Sequence, residues 1–599
     1  MNDSPPLPLN TRSAIVLIAL LQGLLLYIAT QADTTWPFDS ITGQLCWNAA
    51  VLLVPGAIVL AATRLNDRRL WAHAAVGLLG VLALSGWIGW NLQGAPGLAE
   101  GPLVTPFALS MAVGFFVLLP WWQYRLASGH WRATYTALFE HAWQNALTLA
   151  LAVAFTGLTW LLLSLWALLF MLVDIRFFRD LFQQGAFIAL ATGTLMGFGI
   201  LIGRTQQRAV QVTRQVLFAV CKGLLPLLAF IAVLFVCSLP FTGLEPLWKT
   251  RSAAALLLSI VALLVVFTNA VYQQDSDVTP YPAWLRRLVD ASLLALPVYA
   301  GLALYAVALR VEQHGWTLPR VWVALIALLL AGYALGYAWA ALRRFPRWLQ
   351  GIETINRWVC WAVLAAAVLP HTPLLDPVRL SVHSQVARLQ AQAPQIEEDD
   401  ARVLRFELGR RGYQALQALR DAPGFKDAPA AVAVIDAALA RQSRWHGDRA
   451  TSSSSSSVAA VTERAVLQRQ LVPAANSPAP DTAWWDALLA GKVSANDCLR
   501  PGHPCVALRR DLDGDGRDEM LLCDVSGTVG SSCQLHVLEG AQWRDGGTLT
   551  FWAGSTGRIQ TAVRQGNITL HRPRWPQVSL DGGEPQDIQT PPPSSEDTP

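Results

Sequence analysis

About eleven apolar stretches of roughly 20 residues each fill the first 370 residues, and they constrain the fold more than any other feature. A chain inside hydrocarbon finds no water to partner its backbone N–H and C=O groups, so such stretches must be helices throughout. They run near 13–30, 46–63, 71–90, 103–122, 145–173, 185–203, 216–239, 252–271, 288–309, 321–341 and 355–370. Composition agrees: 53% of the chain is hydrophobic and 14% charged, where a soluble protein carries about a quarter charged. Residues 376–599 read as ordinary polar sequence. The expected fold is therefore a polytopic α-helical membrane protein with an extracytoplasmic α+β region that ends in a small β-rich module. The expected boundaries are a transmembrane domain at 1–370, a helical subdomain at 371–445, a linker at 446–482, the β-rich module at 483–580 and a disordered tail at 581–599.

Arginines set the direction. Arg64, Arg68 and Arg69, Arg125 and Arg132, Arg204, Arg208 and Arg214, Arg286 and Arg287, and Arg343, Arg344 and Arg347 fall in alternate loops. The intervening loops carry fewer cations. The positive-inside rule puts the arginine-rich loops and the N-terminus in the cytoplasm, and an odd number of spans puts everything after residue 370 outside. The first span reads as a retained anchor, since Arg12 is its only preceding cation and no A-x-A cleavage pattern follows. Arginine far outnumbers lysine, a habit of GC-rich bacterial coding, so the expected location is a bacterial inner membrane. The net charge of +4 gives no reason to expect a nucleic-acid partner.

Cysteine usage points the same way. Cys46, Cys221, Cys237 and Cys360 lie in or beside apolar spans, where a thiol is a small buried hydrophobe. Cys498, Cys505, Cys523 and Cys533 cluster in one polar stretch, which reads as two disulfides in an oxidising compartment. Three pairings are open. Cys498–Cys505 with Cys523–Cys533 closes the shortest loops and is preferred. A zinc site is the rival, without a C-x-x-C or regular histidine spacing to support it.

Within the spans, Gly193, Gly197, Gly199 and Gly203 form two G-x-x-x-G patterns, which serve close helix packing more often than a substrate path. Trp121 with Trp122, Trp87 with Trp90 and Trp316 with Trp322 fall at span ends, as interfacial anchors do. Pro226 and Pro297 lie inside spans. Lys222 is the clearest cation inside a span, either snorkelling to the interface or lining a site. Arg310, Glu312, Thr317 and Arg320 surround a short hairpin, where they either form a small external site or pin the turn.

Two stretches resemble a known family. Tyr281-Pro-x-Trp-Leu, the Leu-Pro-x-Tyr and Leu-x-Tyr-Ala patterns that follow, and Arg310…His314-Gly315-Trp316-Thr317…Arg320 form the first. Leu404-Arg405-Phe406, Gly409-Arg410, Gly412, Ala415 and Leu416 form the second. Together they resemble the bacterial membrane family called domain of unknown function 4153, over roughly 13–425. The resemblance implies a polytopic inner-membrane protein and supplies no activity.

The polar C-terminal region begins with helical periodicity over 376–420, broken at "QIEEDD", and a further helix is expected at 429–441. His371, Asp376 and His383 match no helical ligand spacing. After serine- and proline-rich linkers, short alternating runs with Gly-rich turns predict strands. Among them lies "DLDGDGRDEMLLC", 511–523. Asp511, Asp513 and Asp515 at alternate positions, Gly516 at the bend, the Arg517 carbonyl and Glu519 supply hard oxygens of the kind Ca²⁺ takes. Leu522 stands where an EF-hand has its bidentate Glu, and the flanks alternate as strands do. The loop resembles the D-x-D-x-D-G-x-x-[DE] loops of integrin-type and dockerin-like repeats, and structural Ca²⁺ is the expected cofactor. A hairpin turn that binds nothing is the alternative.

No H-E-x-x-H, G-x-S-x-G, Walker A or dinucleotide fingerprint occurs. The expected function is a non-enzymatic envelope scaffold or sensor whose outer module meets an envelope partner. The alternative is a transporter or lipid-handling protein that uses the helical body.

Overall fold

The computed structural model describes residues 7–32, 35–173, 175–244, 253–272, 281–343, 347–441, 464–499, 505–525, 530–540, 542–552 and 556–567. Contacts divide the chain into two units, Met1–Arg444 and Trp445–Pro599.

The first unit is helical. Its elements are α1 (Leu9–Gln31), α2 (Ile41–Ala61), α3 (Arg68–Leu92), α4 (Gly101–Ser128), α5 (Tyr135–Met171), α6 (Phe177–Gln183), α7 (Gly185–Thr205), α8 (Gln207–Thr242), α9 (Ala253–Val271), α10 (Ala283–His314), α11 (Leu318–Leu342) and α12 (Ile352–Val368). Four shorter helices follow: α13 (Pro377–Ala391), α14 (Glu398–Arg402) with a π-helical extension Val403–Glu407, α15 (Gly409–Arg420) and α16 (Pro429–Ala440). Among the described residues, eleven helices, all of α1–α12 except the short α6, are long and apolar enough to cross a membrane. The protein is thus built as a multi-pass membrane protein. At 37 residues α5 is about 55 Å long, well beyond a hydrocarbon core of about 30 Å.

Local chemistry starts and stops these helices. Ser40, Asp67 and Thr134 accept from backbone N–H groups of the first turns of α2, α3 and α5, satisfying donors that have no partner within a helix. At the other end of α2, Arg204 of α7 donates to the carbonyls of Val59 (2.6 Å) and Ala62 (2.7 Å). Pro226 and Pro297 lie inside continuous helices.

Helix α7 shows why small residues are needed. A Cβ on Gly193 would lie 2.5 Å from the Ala19 carbonyl, and one on Gly197 2.9 Å from the Ala19 Cβ, both on α1. A Cβ on Gly199 would lie 2.5 Å from the Ala152 Cα, and one on Gly203 2.8 Å from the Thr148 Cγ2, both on α5. The two G-x-x-x-G pairs therefore face two different neighbours. Helices α8–α12 share a second core around Leu225, Val261, Leu293, Tyr299 and Tyr337. Trp121 and Trp122 are buried against neighbouring helices, Trp122 in the core formed by α1–α5 and α7.

Helices α13–α16 form a cap. Its core is continuous with the ends of α3, α4 and α11: Leu92, Leu103, Phe107 and Leu318 pack with Leu389, Leu404, Leu416 and Ile435. The "QIEEDD" break and the helix at 429–440 fall where the sequence places them.

The second unit holds a five-stranded sheet in the order β1-β2-β3-β4-β5, with β1 (Leu471–Pro473), β2 (Cys505–Arg510), β3 (Glu519–Asp524), β4 (Gly530–Glu539) and β5 (Gln542–Trp552). β1 pairs parallel with β2, and the other pairs are antiparallel. Helices α17 (Arg464–Gln470), α18 (Thr482–Leu489) and α19 (Thr556–Gln565) accompany it. Residues 464–473, expected as linker, thus belong to this unit: Leu467 and Leu471 are buried in its core. The disulfides are Cys498–Cys505 and Cys523–Cys533, and Cys46, Cys221, Cys237 and Cys360 are free. The serine run at 452–457, residues 568–575 of the expected strand "GNITLHRPRW" and the tail at 581–599 lie outside the described residues.

Candidate functional site

The family-like stretches form the seat of the cap from both sides: the first is the hairpin that receives it, and the second is the part of the cap that docks on α3 and the α3–α4 loop. In the second, Arg405 is fully buried. Its guanidinium lies over the rings of Phe406 (4.5 Å) and Tyr413 (4.9 Å) and donates to the carbonyls of Pro96 (2.8 Å), in the α3–α4 loop, and Arg441 (3.0 Å). The Ala99 N–H of that loop donates to the Phe406 carbonyl at 2.9 Å. Gly409, at φ 58°, brings the start of α15 so close to the end of α3 that a Cβ would sit 2.5 Å from the Asn91 carbonyl. The next two residues cover a stacked indole pair. Arg410 lies over Trp90 (5.0 Å), and Arg411 over Trp87 (5.5 Å) and Trp90 (5.8 Å).

The first stretch forms the α10–α11 hairpin, which receives α13. The Trp316 N–H donates to the Ser384 hydroxyl (2.9 Å), and the Gln385 side-chain amide donates to the carbonyls of His314 (3.1 Å) and Trp316 (2.8 Å). Gly315, at φ 72°, makes room for Ser384 and Gln385. Arg320 donates to the carbonyls of His314 and Gly315, so it pins the turn. Thr317 occupies the N-cap position of α11 without a side-chain cap bond. Arg310 and Glu312 are exposed on the last turn of α10. Lys222 is exposed on α8, and its carbonyl accepts from the Tyr281 hydroxyl at 2.6 Å. The structure does not gather these five residues into one site.

A cleft of about 890 Å³ does lie beside the hairpin. One wall is the first half of α11, with Val321, Leu325 and Leu328. The opposite side is α13 and the turn before it, with Leu375, Arg379 and His383. Leu374 (78% exposed), Leu375 (60%) and Leu380 (43%) present apolar surface there. Arg379 and His383, spaced i, i+4, lie on one face of α13 and line the same cleft. Asp376, the N-cap of α13, accepts from the Val378 N–H (2.9 Å) and pairs with Arg411 (3.0 Å). Burial pushes its carboxyl up, and Arg411 and the helix N–H groups oppose that shift. Nearby His371 is buried between Trp322, stacked at 5.3 Å, and Phe107, edge-on at 5.3 Å. His371, Asp376 and His383 do not form a metal group among the described residues.

At the other end of the bundle a polar network ties four helices. The Tyr135 hydroxyl and the Asn356 amide both donate to Asn269 Oδ1 (3.2 and 2.7 Å), and the Tyr337 hydroxyl donates to Asn356 Oδ1 (2.8 Å). A smaller cavity of about 380 Å³ adjoins it. These groups satisfy one another, as buried polar groups in a bundle must.

In the second unit, the 511–519 loop is wound around its own carboxylates. Asp511 accepts from the N–H of Gly514 (2.7 Å) and Gly516 (3.0 Å), Asp513 from Asp515 (2.9 Å) and Asp515 from Arg517 (2.7 Å). Glu519, buried at the start of β3, accepts from the Leu512 N–H at 2.7 Å. Asp511, Asp513 and Glu519 bring ligand oxygens within 4.8 Å of one another. Asp515 lies outside that trio. The trio is an all-oxygen donor set, the chemistry a hard cation prefers. On β4, His536 is fully buried. Its Nδ1 accepts from the Trp484 indole (2.9 Å), and its Nε2 lies 2.8 Å from the Ser494 carbonyl. That arrangement makes Nε2 the protonated nitrogen.

Sequence reasoning missed the cap's seating and the cleft. The signals were present: Arg405, Arg410 and Arg411 within one short stretch, and Arg379 and His383 flanking Leu380 on a helix.

No curated protein and no solved structure matches the chain. The family model described as domain of unknown function (DUF4153) matches residues 49–419. That span runs from α2 to the end of α15, contains both seating stretches and stops before the second unit. The chain is therefore a member of the DUF4153 family.

Proposed function

We propose that this DUF4153 protein binds an amphiphile of the surrounding bilayer in the cleft between α11 and the cap. Of the function classes the sequence leaves open, lipid handling is the one the geometry favours. One observation carries the reading: a single cleft has a wall on a membrane-length helix and a polar edge on the cap. From Val321 to Leu328 that wall runs about 10 Å along the helix, which suits an acyl chain lying parallel to it. Each methylene buried there contributes about 0.8 kcal/mol.

The arginine pattern and the disulfides support a placement with the N-terminus in the cytoplasm of a bacterium and the cap and second unit outside the inner membrane. The test of function is native mass spectrometry of the full chain purified in mild detergent. The wild type should retain a lipid that Leu325→Trp, which fills the cleft, releases, while the two proteins melt alike once stripped of lipid. Equal lipid retention in both proteins overturns the reading.

In the second unit, Ca²⁺ would be held by Asp511, Asp513 and Glu519 and would fix the turn between β2 and β3. A cation there offsets the mutual repulsion of three carboxylates. The melting temperature of the full chain should rise in millimolar Ca²⁺ over chelator, and Asp513→Asn should abolish the rise. Weak extracellular sites bind at about 10⁻⁴–10⁻³ M. An unchanged melting profile and no heat on titration to about 10 mM, an order above that range, would leave the loop as a turn only.

A further inference from the structure

We infer that the cleft selects lipids with an anionic phosphate headgroup, and that Arg379 is the residue that reads it. This rests on the amphiphile reading above and adds the chemical class of the ligand.

The inference follows from the cations of the cleft and its surroundings. Arg411 is committed to Asp376 and to the indoles of Trp87 and Trp90. Arg320 is committed to the hairpin carbonyls. Arg388, on the far side of α13, pairs with Asp400. The Arg379 guanidinium makes no hydrogen bond among the described residues, is exposed and lines the cleft; its backbone N–H donates to Asp376, and its charge acts on that carboxylate more weakly than that of Arg411. The nearest carboxylate, Asp376, is already taken by Arg411. One turn further along the same face, His383 presents its imidazole to the same space. The edge of the cleft is thus a cation with a hydrogen-bonding neighbour, and the acid beside it is neutralised.

Position selects the ligand as strongly as charge does. Arg379 and Leu380 are adjacent on α13, and Leu374 and Leu375 are exposed just before it. A guanidinium next to exposed leucines, at the end of a membrane-length helix, sits where a phosphate meets its acyl chains. Arg suits that task, because its planar fork gives two parallel N–H donors to two phosphate oxygens. A free phosphate would use the fork and leave the apolar wall uncovered; a phospholipid uses both.

The experiment uses the full chain in detergent with dioleoyl phosphatidylglycerol, dioleoyl phosphatidylcholine or dioleoylglycerol added at equal concentration. Retention is read by native mass spectrometry and by thermal shift. The expected result is at least a tenfold preference for phosphatidylglycerol. Arg379→Gln should lower retention of phosphatidylglycerol most and of phosphatidylcholine, which carries the same phosphate, less, erasing the preference and leaving dioleoylglycerol retention unchanged. Arg379 is exposed, so the variant should melt as the wild type does in the absence of lipid. Equal retention of the two phospholipids, or a preference that survives Arg379→Gln, overturns the headgroup inference while leaving the cleft as a lipid site. If no lipid is retained and Leu325→Trp changes nothing, the amphiphile reading itself fails, and the inference with it.

Discussion

The packing of α7 allows a sharp test, because two substitutions of the same kind should have opposite effects. Gly199→Ala adds one methyl group at a point where a Cβ would meet the Ala152 Cα at 2.5 Å and the Ala152 Cβ at 2.9 Å. The obstacle is backbone, so no rotamer change relieves it, and α5 and α7 must move apart. Inserting a methyl into a packed core costs about 1–3 kcal/mol. Replacing glycine by alanine inside a helix returns about 0.5–1 kcal/mol. The net expectation is a loss of up to about 2.5 kcal/mol from those two figures. Gly157→Ala on α5 is the control, since a Cβ there meets nothing within 4 Å and only the favourable term remains. Reversible unfolding in mixed micelles, followed by tryptophan fluorescence, measures both. Equal stability of the two variants would refute the claim that the second G-x-x-x-G pair is a helix contact.

Two further predictions concern the cap and the second unit. Arg405→Lys should destabilise the cap, because an ammonium cannot reach the Pro96 and Arg441 carbonyls together while lying over two rings. Each carbonyl left unsatisfied costs about 1–3 kcal/mol, and chemical denaturation of the full chain reads the loss. For the second unit, burial holds the His536 imidazole below its ordinary value, against the opposing effects of the Ser494 carbonyl and Asp545. The unfolded chain therefore binds the proton more readily. The contribution of His536 is complete above about pH 6.5 and is lost as the pH falls through that value. His536→Gln should flatten the stability profile between about pH 5 and 7; an unchanged slope would show that some other group governs it.

What was legible in the sequence follows from what each environment demands. The spans were legible because hydrocarbon tolerates only unbroken apolar helices, and that requirement is written residue by residue. The acidic loop was legible for a similar reason: its aspartates and glycines are local, and Asp511 binds the backbone of Gly514 and Gly516 within its own turn. The cleft was not. Its two sides are α11 and α13, brought together by bonds such as Gln385 to the Trp316 carbonyl, 69 residues apart. Arg379 looks like any surface cation until the commitments of Arg320, Arg388 and Arg411 are known. The hairpin residues Arg310, Glu312, Thr317 and Arg320 drew attention as a charge cluster. Arg320 proved to hold the turn itself, which sequence spacing alone could not separate from ligand binding.

The bond from Arg405 to the Pro96 carbonyl joins residues 309 positions apart. During synthesis at about 5–20 residues per second, the α3–α4 loop waits some 15–60 s for the side chain that completes it. Through that interval the Trp87 and Trp90 indoles have no guanidinium above them, and α11 lacks the opposite side of its cleft. The cap can therefore seat only once the α3–α4 loop and the α10–α11 hairpin are both in place, which makes its docking the last step in closing the first unit.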